Sequence, residues 1–341
     1  MSSAVLEKAV RRNQSRHWII FWLGVGLVIL VVFSLQVGRY PSPGFISWDQ
    51  IRQDEMARTL VSNLRLPRLL TAVLLGMSLS AAGTVFQMLF SNPLVEPGFL
   101  GVSQGAAFGA ALCIVFLGGS AAMIQGVSAF FALAGLGLSF LLARKIRYGG
   151  WVLRLVLSGI AVSALFSAGL GILKYMADPL SQLPEITFWL LGGLSSITWT
   201  KFLSILPATL IGLTVLVLLR WRLNLLALDD RTSYSMGAAP KRERIVLLTA
   251  AVLATAAVIS VAGMVNWVGL IIPHIARRIL GSDTRFTLPA SMLLGGVFTV
   301  LCDDLARTLF PGEIPLGILT SLMGAGIFMA LMASNRIKVE R

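Results

Sequence analysis

The residues here whose types and spacing could do chemistry are a few charges in a very apolar chain. Arg65 and Arg68 stand three apart in the stretch RLPR, at the mouth of a run of 22 uncharged residues, and so share one helix face. Far along the chain, Asp303 and Asp304 precede Arg307 by four and three residues, the spacing at which acids neutralise an arginine on the same helix face. Guanidinium groups at such a mouth can do one of two things: snorkel to lipid head groups, or receive the carboxylates of an acidic partner. Neither use makes or breaks a covalent bond.

Other chemistry finds little support. No lysine is followed by Ser or Thr, so the chain carries no GxxxxGK[ST] phosphate loop, and Leu157-Ser158-Gly159, a faint echo of an ATPase signature, lies inside an apolar run. The histidines are His17, at a predicted membrane boundary, and His274, which has no carboxylate or cysteine partner in sequence; neither pattern indicates catalysis or a metal. Cys113 and Cys302 fall in separate apolar runs without metal or disulfide spacing and read as packing residues.

The elements that must position these charges are set by composition. With 56% hydrophobic and 13% charged residues, the chain fits a polytopic helical membrane protein and not a soluble domain. Ten apolar runs are predicted as spans, at residues 17–37, 66–90, 98–118, 123–143, 152–175, 201–220, 244–264, 267–280, 287–310 and 314–333, the eighth being short. The domain plan is an N-terminal tail (1–16), a transmembrane domain (17–335) and a C-terminal tail (336–341). The run at 17–37 is long and lacks a small-x-small cleavage site before Pro41-Ser42-Pro43-Gly44, so it reads as a retained span.

Ten spans put both termini on one side. Placing that side in the cytoplasm puts 20 of the 28 Lys and Arg residues inside, as the positive-inside rule expects. The net charge of +13 is therefore topology and not a nucleic-acid footprint. Five of the eight outside charges, Arg39, Arg52, Arg58, Arg65 and Arg68, crowd between the first two spans. The stretch SWDQIRQDEMARTLVSNL there is predicted to form a surface helix, and Arg307 falls at the same outer mouth. Gly101, Gly105 and Gly109, with Gly76, Ser80, Gly83 and Thr84, give small faces for tight packing.

The longest polar connection, residues 220–244, carries Leu223, Leu225, Leu226 and Leu228, with Asp230 and Thr232 as helix caps and Gly237 as a stop. It reads as a short helix pair suited to docking on another protein, or as an ordinary loop.

Taken in order, RLPR at 65–68, NPLVEPGFLGVSQGAAFG at 92–109, ITFWLLGGLSSITW at 186–199, LNLLALDDRTSYSMG at 223–237, VGLIIPHIAR at 268–277, LPASMLLGG at 288–296 and EIPLGILTSLMGA at 313–325 resemble the FecCD family over nearly the whole chain beyond the first span. These are permease subunits of type II ATP-binding-cassette importers for iron–siderophore, haem and cobalamin. The resemblance implies an all-α fold of about ten transmembrane helices, a homodimer or close heterodimer, two ATP-binding subunits and an extracytoplasmic substrate-binding protein. It implies no cofactor in this chain, ATP and Mg²⁺ being used by the partner ATPases, no nucleic-acid partner, and a place in the inner or cell membrane of a bacterium or archaeon. By the same resemblance Arg65, Arg68 and Arg307 face acids on the binding protein, and Asn92 and Leu94 form the cytoplasmic gate. The segment with Leu223, Leu225, Leu228, Asp229, Asp230 and Gly237 then couples to the ATPase. Three departures stand out: Gly324-Ala325-Gly326 where the family commonly has a proline, Met264-Val265-Asn266-Trp267 before VGL, and the second acid Asp304.

The expected function is import of a metal chelate, iron–siderophore first and haem, cobalamin or molybdate after it. An ion-coupled secondary transporter is the rival from another class, and would need buried ionisable residues near the midplane. An intramembrane enzyme would need a paired nucleophile and base.

Overall fold

The structure, a computed structural model, describes residues 3–40, 44–310 and 312–333. The predicted C-terminal tail and residues 41–43 of the predicted turn lie outside that set.

Each apolar run folds as a helix, because within a bilayer a helix is the segment that satisfies its own backbone. In chain order these are α1 (Ser3–Gln36), which includes most of the predicted N-terminal tail, then a small hairpin of β1 (Val37–Gly38) and β2 (Gly44–Phe45), paired antiparallel. Next come α2 (Trp48–Gln53), α3 (Glu55–Leu60), α4 (Leu66–Leu89), α5 (Val102–Phe116), α6 (Ala121–Lys145), α7 (Trp151–Met176), α8 (Gln182–Leu191) and α9 (Trp199–Leu218). The chain closes with α10 (Arg222–Leu226), α11 (Asp230–Ser235), α12 (Pro240–Ala262), α13 (Val268–Leu280), α14 (Thr284–Thr308) and α15 (Leu316–Ala333).

Among the described residues, eight helical stretches are long and apolar enough to cross a membrane: those built on α1, α4, α6, α7, α9, α12, α14 and α15. The other two expected spans are shorter. The 15 residues of α5 and 13 of α13 reach only about 20 Å at 1.5 Å per residue, less than a hydrocarbon core of about 30 Å. The run at 98–118 loses its first turn because Pro97–Leu100 forms a 3₁₀ turn and Gly101, at φ 77°, changes the chain's direction before α5 begins.

The predicted single surface helix is two. Asp54, extended at φ −96° and ψ 113°, ends α2 and caps α3 by accepting from the Met56 and Ala57 amides. A five-residue π turn, Val61–Arg65, then runs without a break into α4.

Helices α4, α12 and α14 form the buried centre, while α1, α6, α7 and α15 expose most of their surface. Glycine is what lets the centre close. A Cβ on Gly76 would stand 2.0 Å from the Gly295 carbonyl oxygen, and one on Gly83 would stand 1.9 Å from that of Gly269. Backbones of α4 with α14 and of α4 with α13 therefore touch where a side chain would hold them apart. Cys113 and Cys302 are buried in this packing.

Candidate functional site

Where α4 begins and α14 ends, the chain gathers its charges. Arg68 is buried, and its Nε donates to both oxygens of Asp303 (2.9 and 3.1 Å) while Nη1 donates to both oxygens of Glu313 (2.8 and 2.9 Å). Asp303 is wholly buried on α14. Arg307, also buried, pairs with Asp304 and donates to the Ser34 carbonyl (2.6 Å), and the Ser34 hydroxyl closes the ring by donating to Asp304 (2.5 Å). Arg65 is half-buried and donates from Nη1 to the Leu35 carbonyl (2.9 Å). The local spacing expected of Arg307 with Asp303 and Asp304 holds, though the Asp303 contact is long at 3.9 Å.

These three arginines, with Arg39, Tyr40, Glu313 and residues of α3 and the 195–197 connection, line one cavity of about 360 Å³. The two arginines of RLPR, expected on one helix face, have unlike surroundings. Arg65 faces the cavity half-open, whereas Arg68 is held from behind by Asp303. Arg307 Nη1 is buried without a hydrogen-bond partner, and its Nε, buried too, has the long Asp303 contact alone. Tyr40 donates to Asp54 (2.9 Å), which ties the surface helices to the cavity's rim. That hydrogen bond, with those from the Ala57 and Met56 amides, holds the Asp54 carboxyl below the usual carboxylate range.

The opposite end of α14 carries the segment 223–237. The pair α10 and α11 forms as expected, but its cap is Asp229, one residue earlier than Asp230: its side chain accepts from the Arg231 and Thr232 amides. Asp230 instead pairs with Arg244 (2.7 Å). Gly237, at φ 80°, ends the second helix. Leu223 is wholly buried and fastens the pair to the bundle, Leu225 is half-buried, and Leu228 is exposed with Tyr234 and Met236. Tyr234 and Met236 escaped a reading that looked for leucines at helical spacing, yet they make the apolar tip. The pair is fixed to α14 through Asn224, which donates to Asp283 (2.8 Å) and accepts from the Thr284 amide (3.0 Å). Burial would push the Asp283 carboxyl up, but hydrogen bonds from Arg285 and Asn224 outweigh it and hold it at about 2.

Between the two ends, residues 92–101 climb beside α7 and α13. Asn92 and Leu94 are both exposed, and the Asn92 side chain accepts from the Leu94 amide (2.9 Å), making a compact turn. Leu94 borders a second cavity, of about 560 Å³, together with Glu96, Ser103, Gln104, Asn266 and Trp267. Glu96 accepts a hydrogen bond from the Trp267 backbone and is the one carboxylate among those lining residues. Its place in the cavity was not legible in sequence, since a single Glu between Val95 and Pro97 has no spacing that marks it. Trp267 sits at φ 72°, in the unusual entry to α13.

Comparison with known proteins gives these sites a context. Residues 26–334 match the FecCD transport family. The chain is 39% identical over 323 residues to the molybdate import system permease protein MolB of Haemophilus influenzae, covering 92% of this chain and 95% of that one. It is 36% identical over 329 residues to the Fe(3+) dicitrate transport system permease protein FecC of Escherichia coli, covering 93% and 98%. A solved structure described as an inward-facing conformation of a metal-chelate type ABC transporter superposes with a TM-score of 0.85 at 38% identity, over 92% of this chain and 98% of that one.

Proposed function

The chain belongs to the FecCD transport family, and from that premise we propose that it is the membrane permease of an ATP-binding-cassette importer, with both termini cytoplasmic, acting as one of two copies around a shared pathway. The observation that carries this reading is the placing of two unlike surfaces at opposite ends of α14. One is a cavity with four arginines, suited to acidic residues of an external binding protein. The other is a helix pair with an apolar tip of Leu228, Tyr234 and Met236, suited to a groove on an ATPase. In this reading Asn92 and Leu94 form the inner gate, and ATP and Mg²⁺ act on the partner subunits.

For cargo we favour an iron–siderophore, with haem and cobalamin next. The relatives named for molybdate and for ferric dicitrate support a metal-bearing cargo of either kind. Glu96, the one carboxyl among the residues lining the larger cavity, offers a polar contact to a bulky chelate with hydrogen-bond donors. Vesicles holding the complete complex, offered labelled ferric siderophore, haem, cobalamin and molybdate, test the choice. Uptake of ferric siderophore is expected; uptake of molybdate alone would overturn the cargo and leave the permease standing.

A further inference from the structure

Arg68 holds two carboxylates of unlike standing. Asp303 is wholly buried on α14 and locked by the packing of that helix on α4. Glu313 lies on the connection between α14 and α15, with 43% of its side chain exposed, and reaches into the cavity to take both of its hydrogen bonds from Arg68 Nη1. The Arg307 side chain, 6% exposed, borders the same cavity, with Nε turned to Asp303 at 3.9 Å and Nη1 buried without a hydrogen bond. Four guanidinium groups thus line the cavity that Glu313 enters, against the acids Asp303, Asp304 and Glu313, which leaves an excess of positive charge there.

We propose that Glu313 occupies, from within the chain, the seat that a partner's carboxylate takes on docking, and that docking exchanges the one for the other. This rests on the reading that an acidic binding protein docks at this cavity. An incoming carboxylate meets the half-open Arg65 as well as Arg68, whereas Glu313 has Arg68 alone. A partly exposed ion pair contributes little to stability, so its exchange is easy, while the buried Arg68–Asp303 pair keeps the arginine in place throughout.

Release has a mechanical consequence. Glu313 stands three residues before α15, and the Ile314 amide, donating to the Ala306 carbonyl (3.1 Å), ties the same connection to α14. On α15, Gly324 packs against Trp267, which lines the larger cavity holding Glu96. A carboxylate arriving at one end of the bundle therefore frees the connection that leads into a helix packed on a residue of the larger cavity.

The test uses the assembled importer in nanodiscs, with its own binding protein as the probe. Glu313→Gln removes the internal competitor and should tighten docking roughly two- to fivefold, the size expected of one partly exposed pair. The reversal Arg65→Glu, Arg68→Glu, Arg307→Glu should weaken docking. If the reversal leaves affinity unchanged at low salt, the docking site is elsewhere and the reading beneath the proposal fails. If the reversal weakens docking while Glu313→Gln leaves it unchanged or weaker, the exchange fails alone. A spin label on Leu309→Cys in the otherwise native chain gives a second readout that does not need the Glu313 variant to fold. Its mobility should rise when the binding protein is added, and an unchanged spectrum overturns the exchange.

Discussion

Arg65 and Arg68 are one helical turn apart, yet one reaches the nearby Leu35 carbonyl and the other is sealed against an acid 235 residues away. Sequence spacing put them on a common face but could not rank them, because the partner of Arg68 leaves no local trace. The pairing of Arg307 with Asp304 was legible, since both lie on one helix. Asp303→Asn should strip the buried counter-charge from Arg68 and cost about 3–5 kcal/mol, the usual penalty for orphaning a buried ion. Thermal unfolding in detergent measures it, and a loss below about 1 kcal/mol would mean that Glu313 alone suffices. Asp283 gives a second test, of opposite character, in water. Its folded pKa of about 2 lies below the unfolded value of 3.8, so its contribution is complete above pH 4 and drains away as pH falls toward 2. The stability gap between the wild type and Asp283→Asn should shrink over that window; a gap constant from pH 6 to 2 would show that the carboxylate charge is not what stabilises the site.

At the level of elements, ten apolar runs announced ten helices because uncharged length is a strong signal. What sequence concealed were the places where local geometry overrides the run. The 3₁₀ turn and left-handed Gly101 shorten α5, the Asp54 cap splits the surface helix, and α8, with 10 residues, is too short to register as a span. Glycine roles were visible as patterns but not as particular contacts. Gly76→Ala should drive α4 from α14 and cost roughly 1–3 kcal/mol, whereas Gly126→Ala, with nothing within 4 Å, should be neutral or stabilising by up to about 1 kcal/mol. Equal melting shifts for the two would refute the close-approach argument. At the tip of α10 and α11, Leu228→Glu with Tyr234→Glu should leave ATP hydrolysis running but abolish uptake, measured side by side in proteoliposomes. Full uptake with both charges present would move the coupling surface elsewhere.

For the whole molecule, the proposed arrangement of two copies around one pathway predicts that the purified importer has a mass that includes two permease chains. A mass with one chain and no paralogue would exclude that arrangement. The two arms of the charged cavity also carry a consequence for the making of the protein. Arg68 is synthesised 235 residues ahead of Asp303, and at roughly 5–20 residues per second it waits about 10–50 s for its partner. Throughout that interval α4 must lodge with its first turn near water or head groups and can settle inward only once α14 arrives. Nascent chains halted before residue 284 should therefore leave a cysteine at position 69 open to aqueous thiol reagents, and finished chains should shut it away.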